Sequence, residues 1–139
     1  MPIHWTIDSR KQLMTAVAEG GVRRHEVLAH LDAMMAAKAG GYRRLFDGSR
    51  GEPLMSTEEL MEVAARMRDM QQEVRAGPLA VVMPADKYAQ FARMLGVLSV
   101  PERPMRVFAS VRAARAWLNG PEVRAWRSPD DDAGQDGAD

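Results

Sequence analysis

Five consecutive apolar residues, Leu79-Ala80-Val81-Val82-Met83, constrain this chain more than any other stretch. An uninterrupted run of that length, halted by Pro84, reads as a strand covered on both faces. Such a strand needs companions beside it and layers above and below it.

The flanking sequence supplies them. Ile3, Trp5 and Ile7 alternate with His4 and Thr6, which predicts a half-buried strand with His4 toward solvent. A second strand over Gln12 to Ala18 carries Leu13, Thr15 and Val17 on one face and Met14 and Ala16 on the other. The polar stretch Asp8-Ser9-Arg10-Lys11 is short enough to join these two as an antiparallel hairpin. Gly20-Gly21 breaks the alternation. From Arg23 to Ala39, Val27, Leu28, Leu31, Met34 and Met35 fall on one helical face, with Gly40-Gly41 as the expected stop. Tyr42 to Asp47 is the next strand, parallel to the second because a whole helix intervenes.

A Gly-containing loop, Gly48-Ser49-Arg50-Gly51, should then lead to a long helix. Ser56 and Glu59 have capping-box spacing, and Leu60, Val63, Ala64, Met67, Met70 and Val74 form its apolar stripe up to Gly77-Pro78. Beyond Pro84 a helix starting near Asp86 carries Tyr88, Phe91, Ala92, Leu95 and Leu98. Met105 to Phe108 is the last strand. Ser110 caps a final helix with Val111, Ala114, Trp117 and Leu118, stopped by Asn119-Gly120-Pro121, and Glu122 to Arg127 adds a further turn. The order is ββαβαβαβα, an α/β fold whose N-terminal antiparallel hairpin joins parallel strands with covering helices. Right-handed crossovers wind it into one layer.

With 139 residues, 46% of them hydrophobic, the chain suits one domain over residues 1–127. Residues 128–139 hold five Asp and no large apolar side chain, the composition of a disordered acidic tail. The zero net charge is therefore uneven. The first 127 residues carry 19 basic against 14 acidic groups, or +5, and the tail carries −5. Sixteen of the 19 basic residues are Arg, which suits a GC-rich bacterial coding bias, and the basic residues form no clustered runs. Nucleic acid is not the expected partner. No stretch resembles a signal peptide or a membrane span, so the cytoplasm is the expected location. The absence of Cys excludes disulfides, thiolate metal sites and Cys nucleophiles.

The motifs of common chemistries are missing as well. There is no GxGxxG, GxxxxGK[ST], GxSxG or HExxH, and no base is paired with a hydroxyl in an evident way. His25 and His30 lie on different sides of the first helix. Glu26 and His30 are four apart and read as a surface pair, too few ligands for a metal. The chain is thus expected to be non-enzymatic, with neither cofactor nor metal. Asp47, at the carboxyl end of a strand, reads as a turn residue bonding forward to backbone amides or as the wall of a pocket. Ser49, Ser56 and Thr57 are the hydroxyls of the same corner, and a phosphate would be welcome at that helix N-terminus. Eleven Met residues are many for this length. Most suit core filling, and some suit an apolar groove between helices lined by Met, Leu and Tyr88, Phe91 or Phe108.

Val81-Val82-Met83-Pro84-Ala85-Asp86-Lys87-Tyr88-Ala89-Gln90-Phe91-Ala92-Arg93-Met94 and Val107-Phe108-Ala109-Ser110-Val111-Arg112-Ala113-Ala114-Arg115-Ala116-Trp117-Leu118 look like the bacterial SpoIIAA-like, or STAS-like, domains. In that family an apolar strand ends at Pro, an Ala-Arg-Met sits in the following helix, and a Val-Phe strand precedes a helix ending Ala-Trp-Leu. The resemblance covers about residues 3–118 and implies the STAS fold of anti-sigma-factor antagonists. In those antagonists a Ser in an Asp-Ser-Ser-Gly-like motif at the start of the second helix is phosphorylated. The matching place here reads Leu54-Met55-Ser56-Thr57-Glu58-Glu59, without the Asp and the Gly. The resemblance implies a regulatory binding module. Its partner would be a protein, or in the divergent branch a small apolar, lipid-like ligand. Asp47, Ser49, Ser56, Thr57, Tyr88 and Arg93 are the candidate contact residues. The sequence is compatible with a monomer and a homodimer alike.

Overall fold

Two long strands, Leu13–Val22 (β2) and Arg43–Pro53 (β3), form the parallel ladder at the middle of the structure. The computed structural model describes residues 2–73, 76–84, 86–87 and 104–126. The remaining described elements are Ile3–Asp8 (β1), Arg24–Ala36 (α1), Thr57–Glu73 (α2), Leu79–Val82 (β4), Met105–Phe108 (β5), Val111–Leu118 (α3) and Pro121–Ala125 (α4). The sheet order is β1-β2-β3-β4-β5, with β1 antiparallel to β2 and every later pair parallel. The fold is thus the mixed α/β sheet expected, opened by an antiparallel hairpin. The helix expected around Tyr88 to Leu98 and the acidic tail lie outside the described residues.

The apolar run behaves as its composition requires. All four residues of β4 are buried, because both faces of the sheet are covered. On one face Leu45, Ala80 and Val82 meet Ala114, Trp117 and Leu118 of α3 and Val123 of α4. On the other, Leu31, Met34, Val63 and Met70 cluster with Met14, Val27 of α1 packs against Ala16 and Ala18, and Met67 of α2 against Leu79 and Val81.

Arg43 joins the hairpin to the end of α3. Its guanidinium donates to the carbonyls of Leu118 (3.2 Å) and Lys11 (3.0 Å) and to Asn119 Oδ1 (3.1 Å). A cation is well placed at the carbonyl end of a helix, where the last carbonyls have no partner of their own.

Three expectations are corrected. α1 stops before the glycines, at Lys38, which adopts φ +59°. Ala39 donates to Met34 and Lys38 to Met35, the Schellman pattern with a lysine in the left-handed position. The glycine that a close approach requires is Gly77, where a Cβ would collide with the carbonyl oxygens of Tyr42 and Gly41. Gly20-Gly21 does not end β2, and Gly48-Ser49-Arg50-Gly51 is not a loop. The two stretches pair with each other, Glu19 with Arg50 and Gly20 with Gly51, after a register shift between Val17 and Glu19. Gly20 takes φ +77° to allow this.

The Trp117 face is a well-packed core. Leu118→Ala should lower the unfolding free energy by about 3 kcal/mol, read from urea denaturation. Ile7→Ala, on a half-exposed edge position, should cost less than about 1 kcal/mol.

Candidate binding pocket

Between the sheet and the α1–α2 pair lies a pocket of about 130 Å³. Its sheet side is made by alternate residues, as strand geometry demands: Ala18 on β2, Arg44, Phe46 and Gly48 on β3, and Leu79 and Val81 on β4, with Met83 just beyond. Val27, His30 and Leu31 of α1 form one wall, and Leu60, Val63, Ala64 and Met67 of α2 form the other. Glu52, Pro53 and Met55 lie where β3 runs into α2. The wall is apolar apart from Glu52 and two buried groups.

Those two are His30 and Arg44, 1% and 5% exposed. Arg44 stands between Met14 and Leu79 in the sheet, and its backbone N–H donates to the Pro78 carbonyl. Among the described residues no carboxylate pairs with its guanidinium. Burial lowers its pKa to about 10, so it remains a cation at neutral pH. His30 packs between Trp5 (ring centroids 5.1 Å apart) and Phe46 (5.9 Å), and its Nδ1 has no hydrogen-bond partner. Burial, reinforced by the nearby Arg44 charge, lowers its pKa to about 4 and keeps the ring neutral.

His30 is therefore not the surface partner of Glu26, whose carboxylate instead accepts from the Arg23 backbone N–H at 3.1 Å. The sequence held the signal. At 100° per residue His30 falls 60° from Val27 and 40° from Met34, inside the apolar stripe. Arg44 was also legible in principle, since it shares a strand face with Phe46.

The other predicted residues lie elsewhere. Asp47 is on the sheet face turned toward α3. Its Oδ1 accepts from the Ser49 backbone N–H (3.0 Å) and hydroxyl (2.6 Å), the forward-bonding role expected of it. Ser49 and Thr57 are exposed, away from the pocket lining. Ser56 and Glu59 form the anticipated capping box, with Ser56 N–H to Glu59 Oε1 and Glu59 N–H to Ser56 Oγ both at 3.1 Å. That backbone N–H, followed by the hydroxyl and Arg24, holds the Glu59 carboxyl below its ordinary range. Phe108 faces Trp117, with Arg106 over both rings, so it takes no part in the pocket. Tyr88, Phe91 and Arg93 lie outside the described residues. Among the described residues no group of three or more His, Asp or Glu could hold a metal, and no helix is long and apolar enough to cross a membrane.

A five-stranded mixed sheet opening on an antiparallel hairpin, with helices on both faces, defines the SpoIIAA-like class of α/β fold. Two solved structures place the chain there. An uncharacterized protein of the DUF3478 family from Shewanella loihica PV-4, itself with a SpoIIAA-like fold, superposes with a TM-score of 0.57. It is 16% identical, over 84% of this chain and 93% of its own. The anti-sigma factor antagonist SpoIIAA in its unphosphorylated form gives a TM-score of 0.54 at 15% identity, over 85% of this chain and 98% of its own. No family model matches the sequence, and no curated protein matches it significantly.

The buried imidazole makes stability depend on acidity. Its folded pKa, about 4, lies below the unfolded value of 6.5. Between those values the unfolded chain binds more protons, so this contribution is intact above pH 6.5 and is lost as pH falls toward 4. Urea denaturation at pH 7 and pH 4.5 should show the wild type losing up to about 3 kcal/mol more than His30→Leu.

Proposed function

We propose that this protein is a non-enzymatic regulatory module that binds a small apolar ligand in the pocket beneath α1 and α2. The observation that carries this reading is the pocket itself, apolar over nearly all its wall and bounded by five elements. A cavity of about 150 Å³ lined by aliphatic side chains is known to take up benzene, so 130 Å³ suits a body of roughly six carbons. Small residues keep the space open. Ala18, Gly48 and Ala64 stand where larger side chains would close it, and a Cβ on Gly48 would already meet Met83 Sδ at 3.1 Å. Met55, Met67 and Met83 supply adaptable walls.

A second reading, docking of a protein partner, is supported by a separate surface. Leu54 and Met61, 40% and 50% exposed, flank Ser56 and Thr57 at the start of α2. The likeness to an anti-sigma factor antagonist supports a regulatory partner at this corner. The two readings are compatible, because the pocket and the exposed corner share α2. A ligand that moved Leu60 or Met67 would move the face beside them.

Hexan-1-ol serves as the uncharged probe. Titrated into the full chain, it should shift the NMR methyl signals of Val27, Leu31, Leu60 and Met67 in a saturable way. Ala64→Phe, which fills the space, should weaken that binding about tenfold or more. Equal shifts in the wild type and in the filled variant would count against a pocket ligand.

A further inference from the structure

We infer that the pocket's ligand is a monocarboxylate, its apolar body held between the sheet and α1–α2 and its carboxylate paired with Arg44 beside His30. This rests on the pocket reading above and specifies the chemistry of its occupant.

Arg44 and His30 are both more than nine-tenths buried and both line the pocket; among the described residues the Arg44 guanidinium has no hydrogen bond or ion pair, and His30 Nδ1 has no hydrogen-bond partner. A guanidinium enclosed by hydrocarbon is costly unless an anion meets it. Its planar fork matches a carboxylate with two parallel hydrogen bonds. His30 lines the pocket beside it, its ring neutral at pH 7. The charge count selects among anions. The pocket offers one permanent cation, which balances a carboxylate and leaves a phosphate dianion half compensated. Glu52, the one carboxylate of the lining, sits eight residues along β3 from Arg44, about 25 Å of extended strand. It therefore leaves the Arg44 end free for the head group.

Binding would also shift the imidazole. A carboxylate beside His30 offsets the Arg44 charge that disfavours its protonation, so the ring should take up protons as the anion enters. The groups facing it are Arg44 from β3 and the rings of Trp5 and Phe46.

The test compares probes of one chain length on the full protein by calorimetry: hexanoate, hexan-1-ol, hexylamine and hexyl phosphate at pH 7. Hexanoate should bind about tenfold or more tighter than hexan-1-ol, and hexylamine weakest of the four. Arg44→Met, similar in length and apolar, should erase most of the preference for hexanoate over hexan-1-ol. Arg44→Lys should retain part of it. At pH 5.5, hexanoate binding to the wild type should take up protons, seen as a dependence of the heat on buffer ionisation. His30→Leu should abolish that dependence. Hexan-1-ol binding as tightly as hexanoate would overturn the carboxylate assignment and leave the apolar pocket standing. Tighter hexyl phosphate would also overturn it. If none of the four binds, the pocket reading itself fails. The probe series on the wild type decides the matter even if the Arg44 variants do not fold.

Discussion

The parallel β2–β3 ladder is the constraint from which the rest of the structure follows. It runs from Leu13 opposite Arg43 to Val22 opposite Pro53, longer than any other pairing in the sheet. Its register decides which residues lie under α1 and α2. A slip by one would exchange Arg44 and Phe46 for Leu45 and Asp47, reversing both faces of the sheet. Arg43 helps hold that register, since its side chain grips the end of α3 on one face while Arg44 points to the other. Two successive arginines on one strand thus have opposite fates. One has three acceptors near the surface, and the other enters the core without a carboxylate among the described residues.

Among the described residues, the groups that cost stability lie on the α1–α2 side of the sheet. The α3 face is closed around Trp117 and Leu118, with the indole N–H donating to Glu122 at 2.9 Å. The α1–α2 face holds the pocket, the buried guanidinium and the unpartnered imidazole nitrogen together. At about 24 cal/mol per Å³, a void of 130 Å³ would cost at most about 3 kcal/mol. The uncompensated polar groups add to this. A chain selected for stability alone could place Met at 44 and Leu at 64. The ion pairs between α1 and α2, Arg24 with Glu62 and Arg66 with Asp32, are solvent-exposed and contribute little to offset such costs.

Much of the fold was legible because its strongest signals are local. The run Leu79–Met83, the alternation in β1 and β2, and the Ser56–Glu59 box each depend on residues near one another in the chain. The failures share a different cause. Gly20-Gly21 and Gly48–Gly51 each read as breakers in isolation, yet each is the other's partner, and the close approach of two glycine-containing strands is visible only in three dimensions. Lys38 in the left-handed region replaced the glycine that local rules favour. The site was less legible than the fold. Asp47 reads from the sequence as the carboxyl end of a strand, yet it lies in the middle of β3, and the polar groups enclosed by the fold lie at the start of β3 and on α1. An apolar stripe traced through hydrophobic residues alone passes over a buried histidine such as His30.

A surface patch advertises itself by polar residues in loops, and the corner at Ser56 has that look. An enclosed site instead hides its polar groups in patterns that otherwise read as core. Arg44 and His30 interrupt two apolar stripes, one of period two and one of period 3.6, which the fold brings face to face. A polar residue breaking a single stripe is often a tolerated defect. Two that break different stripes and meet at the same pocket share one surrounding, and one occupant could satisfy both. In the proposed complex the apolar wall would supply affinity that rises with chain length, and the guanidinium would discriminate between head groups. Neither element alone would select a ligand.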